Sequence, residues 1–395
     1  MKKCFVRLQK LGGGAPKSII EYLKILVSLD YNIYVAAQKD EEAIYRSYSS
    51  LCKSVMIKTD LGTLFNERKM YNLYRSIKEE ISIIEKEKPD LIIVQGEVNA
   101  FFYSYICKNM SIPLIIIIAG GDLNPNKYLI SGWEYGKVIC FSEENQDVIQ
   151  QYYPKDSISV ISNRINNNNQ YNDIEAHYTN IGRINILLVS RIVDSKIPSI
   201  YNFLSAFTQS GLQDKATIKI AGSGEKAQEF LNILKKRFGS QLDIQILGHI
   251  DDLTELFRWA HIVVGKGRSV IEPIMLNRIG CVIGDDGLSC ICTRRSIDNL
   301  YHYNFAGRNI YYSDNENSIV HVIKELLNGT YKLEEIKENA RLVEELYSSQ
   351  YLAPKLINII QTFSIGDKQN NKVFILPKYI EFFILKIQHK VMKSV

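Results

Sequence analysis

Residues 263–284, VVGKGRSVIEPIMLNRIGCVIG, contain the pattern on which the fold prediction rests. The apolar end of a strand leads into a glycine-bracketed basic loop, a helix with one early carboxylate follows, and CVIG begins another strand. Gly265 and Gly267 let the backbone turn tightly. Lys266 and Arg268 stand directly before a helix N-terminus, which carries unpaired N–H groups and about half a positive charge. The stretch therefore predicts a strand–helix–strand unit that receives an anion such as a phosphate.

The same alternation of apolar runs and helical patterns recurs along the chain. The apolar runs are continuous rather than alternating, as in parallel strands that are buried on both faces. The predicted strands are residues 4–8, 91–94, 113–119, 137–141, 158–161, 184–190, 217–221, 244–247, 262–265 and 281–284. Amphipathic helical patterns such as SIIEYLKILVSL lie between them. This arrangement favours an α/β fold with two doubly wound, Rossmann-like parallel-sheet domains.

A polar, asparagine-rich stretch divides the chain, and the length of 395 residues suits two domains. We predict an N-terminal domain over residues 1–165, a linker over 166–182 and a C-terminal domain over 183–345. Residues 346–366 are predicted to form a helix that returns toward the N-terminal domain. A basic amphipathic tail follows over residues 367–395.

Two interpretations of this tail stay open. Its lysines accompany several aromatic and aliphatic residues, and a basic amphipathic helix of this kind lies on anionic membranes. The other interpretation is a terminal helix that packs on its own protein or on a partner subunit. No run reaches the roughly 18 apolar residues of a membrane span, so we expect a cytoplasmic protein, either free or peripheral on the inner face of the membrane.

Composition limits the classes of partner. Apolar residues make up 46% of the chain and charged residues 23%, which is ordinary for a folded soluble protein. The net charge of +5 is mild for this length, so we expect no nucleic-acid partner. The seven cysteines are scattered, and Cys290 and Cys292 form a lone C-x-C without nearby histidines. We therefore expect a reducing compartment and neither a metal site nor a cofactor.

Two glycine-rich turns and one basic loop are candidate anion sites. Gly12, Gly13 and Gly14 precede a helix with a proline in its first turn, and the second turn is the basic loop quoted above. Neither turn matches the dinucleotide fingerprint or the P-loop. Arg191 and Lys196 follow the strand 184–190 at its carboxyl end, where open α/β sheets bind ligands. Each element alone is typical of a structural connection, but together they suggest a diphosphate held in a cleft between the domains.

Seven motifs connect these elements in a fixed order. They are GGGAPKSIIEYLKIL, KPDLIIVQGE, VICFSEENQDVI with ISVISNRIN, VSRIVDSK, IKIAGSGEKAQEFLNIL, IQILGHIDDLTELFRWAHIVV and GKGRSVIEPIMLNRIGCVIG. With this order and spacing the chain resembles the family 4 glycosyltransferases over about residues 5–363. The resemblance implies the GT-B fold, in which two Rossmann-like domains flank a cleft and a C-terminal helical extension follows.

The resemblance also implies roles for particular residues. Arg191 and Lys196 would neutralise the nucleotide diphosphate as the leaving group, and the backbone amides of Ser269 and Val270 would cap the phosphates. Glu272 would accept hydrogen bonds from the ribose hydroxyls.

Glycine turns complete the implied site. Gly12–Gly14 would approach the phosphates and the donor sugar from the other domain. Gly222 belongs to the strand–Gly-x-Gly–helix element, while Gly248 and His249 would lie near the nucleobase. Asn277 stands where the family has a glycine after the helix, and asparagine tolerates the left-handed conformation of a helix C-cap.

The sequence departs from the family pattern at several positions. The family has two glutamates eight residues apart, and here the first is replaced by Val264 while Glu272 keeps the second. Pro273 replaces a small helix former and is expected to distort the early turns of its helix. Ala119 stands at the position of a frequent histidine. Asp122 is the nearest ionisable group, either for a sugar or acceptor contact or as a cap of its loop.

The expected reaction is transfer of a sugar from a nucleotide-sugar to a glycan or lipid-linked saccharide in surface polysaccharide biosynthesis. The family implies retention of the anomeric configuration, and the lack of a D-x-D triplet agrees with a metal-independent route. Two alternatives stay open. One is a catalytically degenerate nucleotide-sugar-binding subunit that partners another transferase, and the other is a sugar-nucleotide epimerase of the same fold.

Overall fold

A computed structural model of the chain describes residues 2–11, 14–39, 42–57, 67–119, 127–162, 165, 174–224, 227–284, 288–308, 318–363 and 373–393. The chain divides into two compact units. Unit 1 comprises Met1–Arg164 and Ser349–Val395, and unit 2 comprises Ile165–Ser348. The C-terminal segment therefore belongs to the same unit as the N-terminal half.

The described residues of unit 1 build a seven-stranded parallel sheet. Its strands are β1 (Lys2–Leu11), β2 (Tyr31–Lys39), β3 (Ser54–Ile57), β4 (Leu91–Gln95), β5 (Leu114–Ile118), β6 (Lys137–Cys140) and β7 (Ile158–Val160). Their order in the sheet is β3-β2-β1-β4-β5-β6-β7, so the winding reverses between β1 and β4. Every residue of β4 is buried, as expected for a strand covered on both faces.

Helices lie between these strands along the chain and pack apolar side chains against the sheet. They are α1 (Gly14–Ser28), α2 (Glu42–Leu51), α3 (Glu67–Glu87), α4 (Glu97–Met110), α5 (Lys127–Ser131) and α6 (Glu143–Ile149). Ile19, Tyr22, Leu23 and Leu26 of α1 are all fully buried. The sequence pattern predicted this apolar stripe, and it forms part of the core beside β1 and β2.

Unit 2 repeats the architecture with a six-stranded sheet in the part of the chain that is described. Its strands are β8 (Ile184–Val189), β9 (Ala216–Ala221), β10 (Asp243–Gly248), β11 (Ile262–Gly265), β12 (Ile279–Ile283) and β13 (Ser289–Ile291). Its helices are α7 (Ile174–Tyr178), α8 (Ile197–Thr208), α9 (Ala227–Phe238), α10 (Thr254–Trp259), α11 (Arg268–Met275), α12 (Ile297–His302), α13 (Ile319–Asn328) and α14 (Leu333–Tyr347). The strand order is β10-β9-β8-β11-β12-β13, and the winding reverses between β8 and β11.

The final two helices belong to unit 1. They are α15 (Ser349–Thr362) and α16 (Leu376–Lys393). Leu352 and Leu356 of α15 are buried in the core cluster that contains α1. Among the described residues, no helix combines the length and the apolarity that a membrane crossing requires.

The strand predictions missed three strands. β2 and β3 are parallel strands on the outer side of β1, with β3 at the edge of the sheet, and the sequence of β2 mixes polar and apolar residues. β13 pairs antiparallel with β12, so the sheet of unit 2 is mixed rather than purely parallel. The predicted linker 166–182 contains α7, whose Ile174 and Tyr178 are buried in the core of unit 2. Residues 166–173 lie outside the described residues.

All seven cysteines carry unbridged thiols, and six of them are buried. Burial raises the pKa of the Cys140 thiol to about 12. Within the described ranges, no group of three His, Cys, Asp or Glu side chains is placed to hold a metal ion.

Candidate functional site

The candidate site lies at the carboxyl edge of the sheet in unit 2, where the winding reverses. β8 and β11 are parallel neighbours, with Val264 opposite Leu188. The loop with Arg191 follows β8, and the loop with Lys266 follows β11. A reversal of strand order opens a crevice at the carboxyl ends of such strands, and open α/β sheets bind ligands there. The topology therefore brings the two predicted basic loops to one place.

Gly265 permits the close approach of these two strand ends. A Cβ atom on this residue would lie 2.8 Å from the Val189 carbonyl oxygen and 2.4 Å from the Ser269 hydroxyl. That hydroxyl accepts a hydrogen bond from the Lys266 amide at 3.2 Å and donates one to the Lys266 carbonyl at 3.0 Å. Ser269 therefore closes the basic loop onto the first turn of α11.

The same loop is held from its other side. Gly267 has a positive φ of 61° and donates its amide to the Phe305 carbonyl at 2.7 Å. Its own carbonyl accepts hydrogen bonds from the amides of Val270 (3.0 Å) and Ile271 (3.1 Å). The phosphate contact predicted for the Val270 amide would thus require exchange of an existing bond.

Arg268 and Glu272 form an ion pair across one turn of α11. Their side chains are 21% and 29% exposed, and the guanidinium nitrogen and carboxylate oxygen lie 2.7 Å apart. Both groups are therefore reachable at the surface, and the carboxylate is oriented by its neighbour.

Helix α11 tolerates Pro273 and continues to Met275. Its first turn is hydrogen-bonded ahead of Pro273, since the amides of Val270 and Ile271 both donate to the Gly267 carbonyl. Asn277 follows the helix with a φ of 58°, the left-handed conformation expected at this position. Val264 is fully buried in β11, so the position of the missing glutamate is part of the core.

The loop after β8 is fixed by the loop after β9. The Ser190 amide donates to the Ala221 carbonyl at 3.1 Å, and the Ile192 amide donates to the Ser223 carbonyl at 2.9 Å. A Cβ atom on Gly222 would lie 1.8 Å from the Ser190 carbonyl oxygen. Arg191 stands between these two anchored residues, with its side chain exposed. Glycine at position 222 thus sets the backbone that presents Arg191.

Lys196 is the N-cap residue of α8. Its amide donates to the Val193 carbonyl at 2.8 Å, and its carbonyl accepts from the Ser199 hydroxyl at 2.9 Å. Its side chain is half-buried, whereas that of Arg191 is exposed. The strand predicted before both residues ends at Val189, so they follow it as expected.

The residues predicted near a nucleobase also meet at neighbouring strand ends. The Gly222 amide donates to the Gly248 carbonyl at 2.7 Å, which joins the ends of β9 and β10. His249 lies 3.4 Å from the Ser223 hydroxyl and 2.9 Å from the Asp251 carboxylate. These side chains are exposed, so this end of the sheet offers polar groups to solvent.

In unit 1 the structure describes less of the predicted site. Gly12, Gly13 and Asp122 lie outside the described residues, and Gly14 begins α1. β1, which precedes the predicted glycine turn in the sequence, borders the reversal between β1 and β4. Both glycine-rich turns of the sequence thus follow a strand that borders the reversal of its sheet.

Three buried amides at the carboxyl edge of unit 1 were not predicted. They are Gln95 at the end of β4, Asn99 in α4 and Asn145 in α6. Asn99 donates to the Gln95 carbonyl at 2.8 Å and Asn145 to the Ile118 carbonyl at 3.2 Å, which fixes the orientation of both amides. Within the described part of the chain, the side-chain oxygens of all three have no hydrogen-bond partner. The signal in the sequence was a polar residue directly at or after a strand end, as in IIVQGEVN.

No protein-family model matches the sequence, and no curated protein matches it either. Solved structures do match. HepE of Anabaena in complex with UDP is 15% identical, with 92% of this chain and 100% of that chain covered and a TM-score of 0.67. A glycosyltransferase from Rickettsia africae is 17% identical, with 92% and 98% covered and a TM-score of 0.66.

A third match is the sucrose-phosphate synthase of Thermosynechococcus elongatus, which is 12% identical, with 91% of this chain and 98% of that chain covered and a TM-score of 0.63. Another structure of HepE holds UDP-glucose. At these identities the likeness shows the fold. The chain therefore has the GT-B fold, and its structural neighbours are glycosyltransferases of that fold.

Proposed function

We propose that this protein is a glycosyltransferase that moves a sugar from a nucleotide-sugar donor to a glycan or lipid-linked saccharide. The observation that carries the proposal is the convergence of two basic loops at the β8/β11 reversal in unit 2. One loop presents Arg191, and the other presents Lys266 directly before the N-terminus of α11. Such an edge combines formal positive charge with helix amides, and it suits a diphosphate.

The proposed chemistry is displacement of a nucleoside diphosphate. The oxygen of the acceptor hydroxyl bonds to the anomeric carbon of the donor while the bond from that carbon to the diphosphate oxygen breaks, and the hydroxyl proton passes to the departing diphosphate. Negative charge grows on the diphosphate as it leaves, so fixed cations stabilise the transition state more than the ground state. Arg191 and Lys196 have this role in the proposal. Glu272 accepts hydrogen bonds from the ribose hydroxyls and positions the donor.

The donor is proposed to carry a uridine diphosphate group, since HepE was solved with UDP and with UDP-glucose. Retention of configuration, independence from metal ions and membership of family 4 are proposed from the motifs of the sequence. The acceptor is proposed to be lipid-linked, which would place the protein at the cytoplasmic face of a membrane in surface polysaccharide biosynthesis.

One observation favours a second candidate. Val264 is fully buried at the position where the resembled family has a carboxylate that contacts the donor sugar. A protein that binds a nucleotide-sugar without transferring the sugar would tolerate this loss. Such a protein would act as a binding subunit of another transferase.

A thermal-shift screen against UDP, UDP-sugars and other nucleotide-sugars tests the proposal, because a ligand that binds the folded state raises its melting temperature. We expect at least one nucleotide-sugar to raise the melting temperature, and the same compound to be hydrolysed slowly or transferred to a glycan acceptor. Binding without turnover would favour the second candidate. A screen in which no nucleotide or nucleotide-sugar stabilises the protein would contradict both.

A further inference from the structure

Helix α16 packs on unit 1 through one side. Phe382 is fully buried, and its ring centroid lies 5.0 Å from that of Phe102 and 5.9 Å from that of Phe101 in α4. Ile375, just before the helix, is also buried in this core cluster. The first half of α16 is therefore part of the folded body of unit 1.

Lys378 fixes the rotation of the helix about its axis. This side chain is only 3% exposed, and its ammonium group donates to the Gly132 carbonyl at 2.9 Å and to the Glu134 carboxylate at 3.0 Å. It also lies 3.1 Å from the Glu381 carboxylate and 4.2 Å from the centroid of the Phe101 ring. Lys378 is one of the lysines of the tail, and the structure buries its side chain beside two partly exposed carboxylates.

The opposite side of α16 carries an outer stripe of apolar side chains. We define the outer stripe as Leu376, Ile380 and Ile384 of α16 together with Phe374, two residues before the helix, and these side chains are 38%, 51%, 52% and 67% exposed. Residues 376, 380 and 384 are each four apart and therefore lie along one face of the helix. Four of the nine large hydrophobic side chains exposed in the described part of the chain belong to this stripe. Such a concentration of exposed apolar area marks an interaction surface.

The charge around the outer stripe indicates its partner. The last turns of α16 have the sequence KIQHKVMK, with lysines at 386, 390 and 393 and no acidic residue. An anionic lipid surface accepts both features, because headgroups attract the lysines and the acyl boundary accepts the apolar stripe.

We propose that the outer stripe docks unit 1 on an anionic membrane surface, with α16 lying in the plane of the headgroups. Buried Lys378 holds the helix so that the stripe faces away from the core of unit 1. This inference assigns a surface to the membrane location in the proposed function, and it rests on that function only for its biological purpose. The proposed docking depends on the exposed apolar residues and the lysines of α16.

The test is co-sedimentation of the full chain with vesicles of phosphatidylcholine alone and of phosphatidylcholine mixed with phosphatidylglycerol. The variant combines Ile380→Gln with Ile384→Gln, and both side chains are already exposed, so folding should be retained. Ile233→Gln is the matched control, since Ile233 is 44% exposed on α9, whose last turn carries Lys235, Lys236 and Arg237. Melting temperatures of all three proteins establish that they are folded.

We expect the parent protein and the Ile233 variant to bind the mixed vesicles. The affinity of the double variant for these vesicles should be lower by about tenfold or more. Equal binding by the double variant, or no binding by the parent protein, would overturn the proposal. Concentration-dependent dimers that the double variant abolishes, without vesicle binding, would assign the stripe to a second copy instead. Nucleotide-sugar binding is measured separately, so failure of the proposed function and failure of docking are distinguishable.

Discussion

The guanidinium of Arg268 and the carboxylate of Glu272 lie 2.7 Å apart across one turn of α11. This pair orients the carboxylate at the carboxyl edge of the sheet in unit 2. Both side chains keep partial exposure, so a ligand can share the carboxylate with the guanidinium. The pair itself contributes about 0.5 kcal/mol to folding, since it is an i,i+4 pair near the surface.

Replacing Glu272 by Ala should therefore weaken nucleotide binding without unfolding the protein. Hydrogen bonds to a charged acceptor contribute about 1.5–3 kcal/mol, which predicts an affinity about 10- to 100-fold lower. Titration calorimetry with UDP measures the change, and the melting temperature without ligand should stay nearly constant. Glu334→Ala is the control, because this exposed carboxylate lies in the first turn of α14. An unaltered affinity for UDP in the Glu272 variant would contradict the proposed hydrogen bonds from the ribose hydroxyls to Glu272.

Gly222→Ala should destabilise unit 2. The new Cβ atom would lie 1.8 Å from the Ser190 carbonyl oxygen, so the backbone of one of the two loops would have to move. We expect a loss of about 2 kcal/mol or more in the free energy of unfolding, measured in urea. Gly182→Ala is the matched control, since its Cβ would meet no atom within 4 Å. A Gly222 variant as stable as the Gly182 variant would show that the loop with Arg191 is not held as described.

His261 should make folding sensitive to acid. Its ring accepts a hydrogen bond from the Asn185 amide at 2.8 Å, and burial, aided by the neighbouring His177 and Arg278, lowers its pKa to about 4. The pKa of the unfolded side chain is about 6.5. Between about pH 6.5 and pH 4, His261 is therefore protonated in the unfolded state but neutral in the folded state. This contribution to stability is complete above about pH 6.5 and falls by up to about 3 kcal/mol as the pH drops to about 4.

Urea unfolding of the parent protein and of His261→Asn at both ends of this range checks the prediction. Asparagine keeps an acceptor for the Asn185 amide but does not titrate. The variant should lose less stability on acidification than the parent protein. Parallel pH profiles for the two proteins would argue against burial of a neutral His261.

Lys378→Met should loosen α16. The substitution keeps an apolar stem but leaves the Glu134 carboxylate with Lys108 as its remaining cation, at 3.1 Å. Breaking a buried pair in this way costs about 3 kcal/mol when both charges are buried, and somewhat less here because Glu134 is 30% exposed. Hydrogen exchange should accelerate in residues 376–385. Lys355→Met is the control variant, because Lys355 is exposed. Equal hydrogen exchange of residues 376–385 in both variants would show that Lys378 does not hold α16 in place.

The sequence predicted the strands that are buried on both faces, because short continuous apolar runs such as LIIV are typical of such strands. It did not predict β2, where Asn32, Gln38 and Lys39 interrupt the apolar pattern of a strand nearer the edge. Nor did it predict β13, which has three residues and pairs antiparallel at the edge of its sheet. Short edge strands carry little apolar area, so their pattern is weak.

The candidate site was predictable where the backbone required a particular residue. Glycine at 222 and 265 permits close approach of two chains, and Asn277 adopts the left-handed conformation expected for it. The buried state of Lys378 was not predictable, because its partners Gly132 and Glu134 lie about 240 residues earlier in the chain. The use of the Val270 amide within the first turn of α11 was missed for a different, local reason, because the hydrogen bond to Gly267 depends on the positive φ of that glycine.

The most direct test of the diphosphate site is calorimetric titration of UDP into the parent protein and into the variant that combines Arg191→Ala with Lys196→Ala. Two charge-assisted hydrogen bonds are removed, so the affinity should fall about 100-fold or more, while the melting temperature without ligand stays unchanged. The account predicts this loss together with loss of sugar transfer. A double variant that binds UDP as tightly as the parent protein would contradict it.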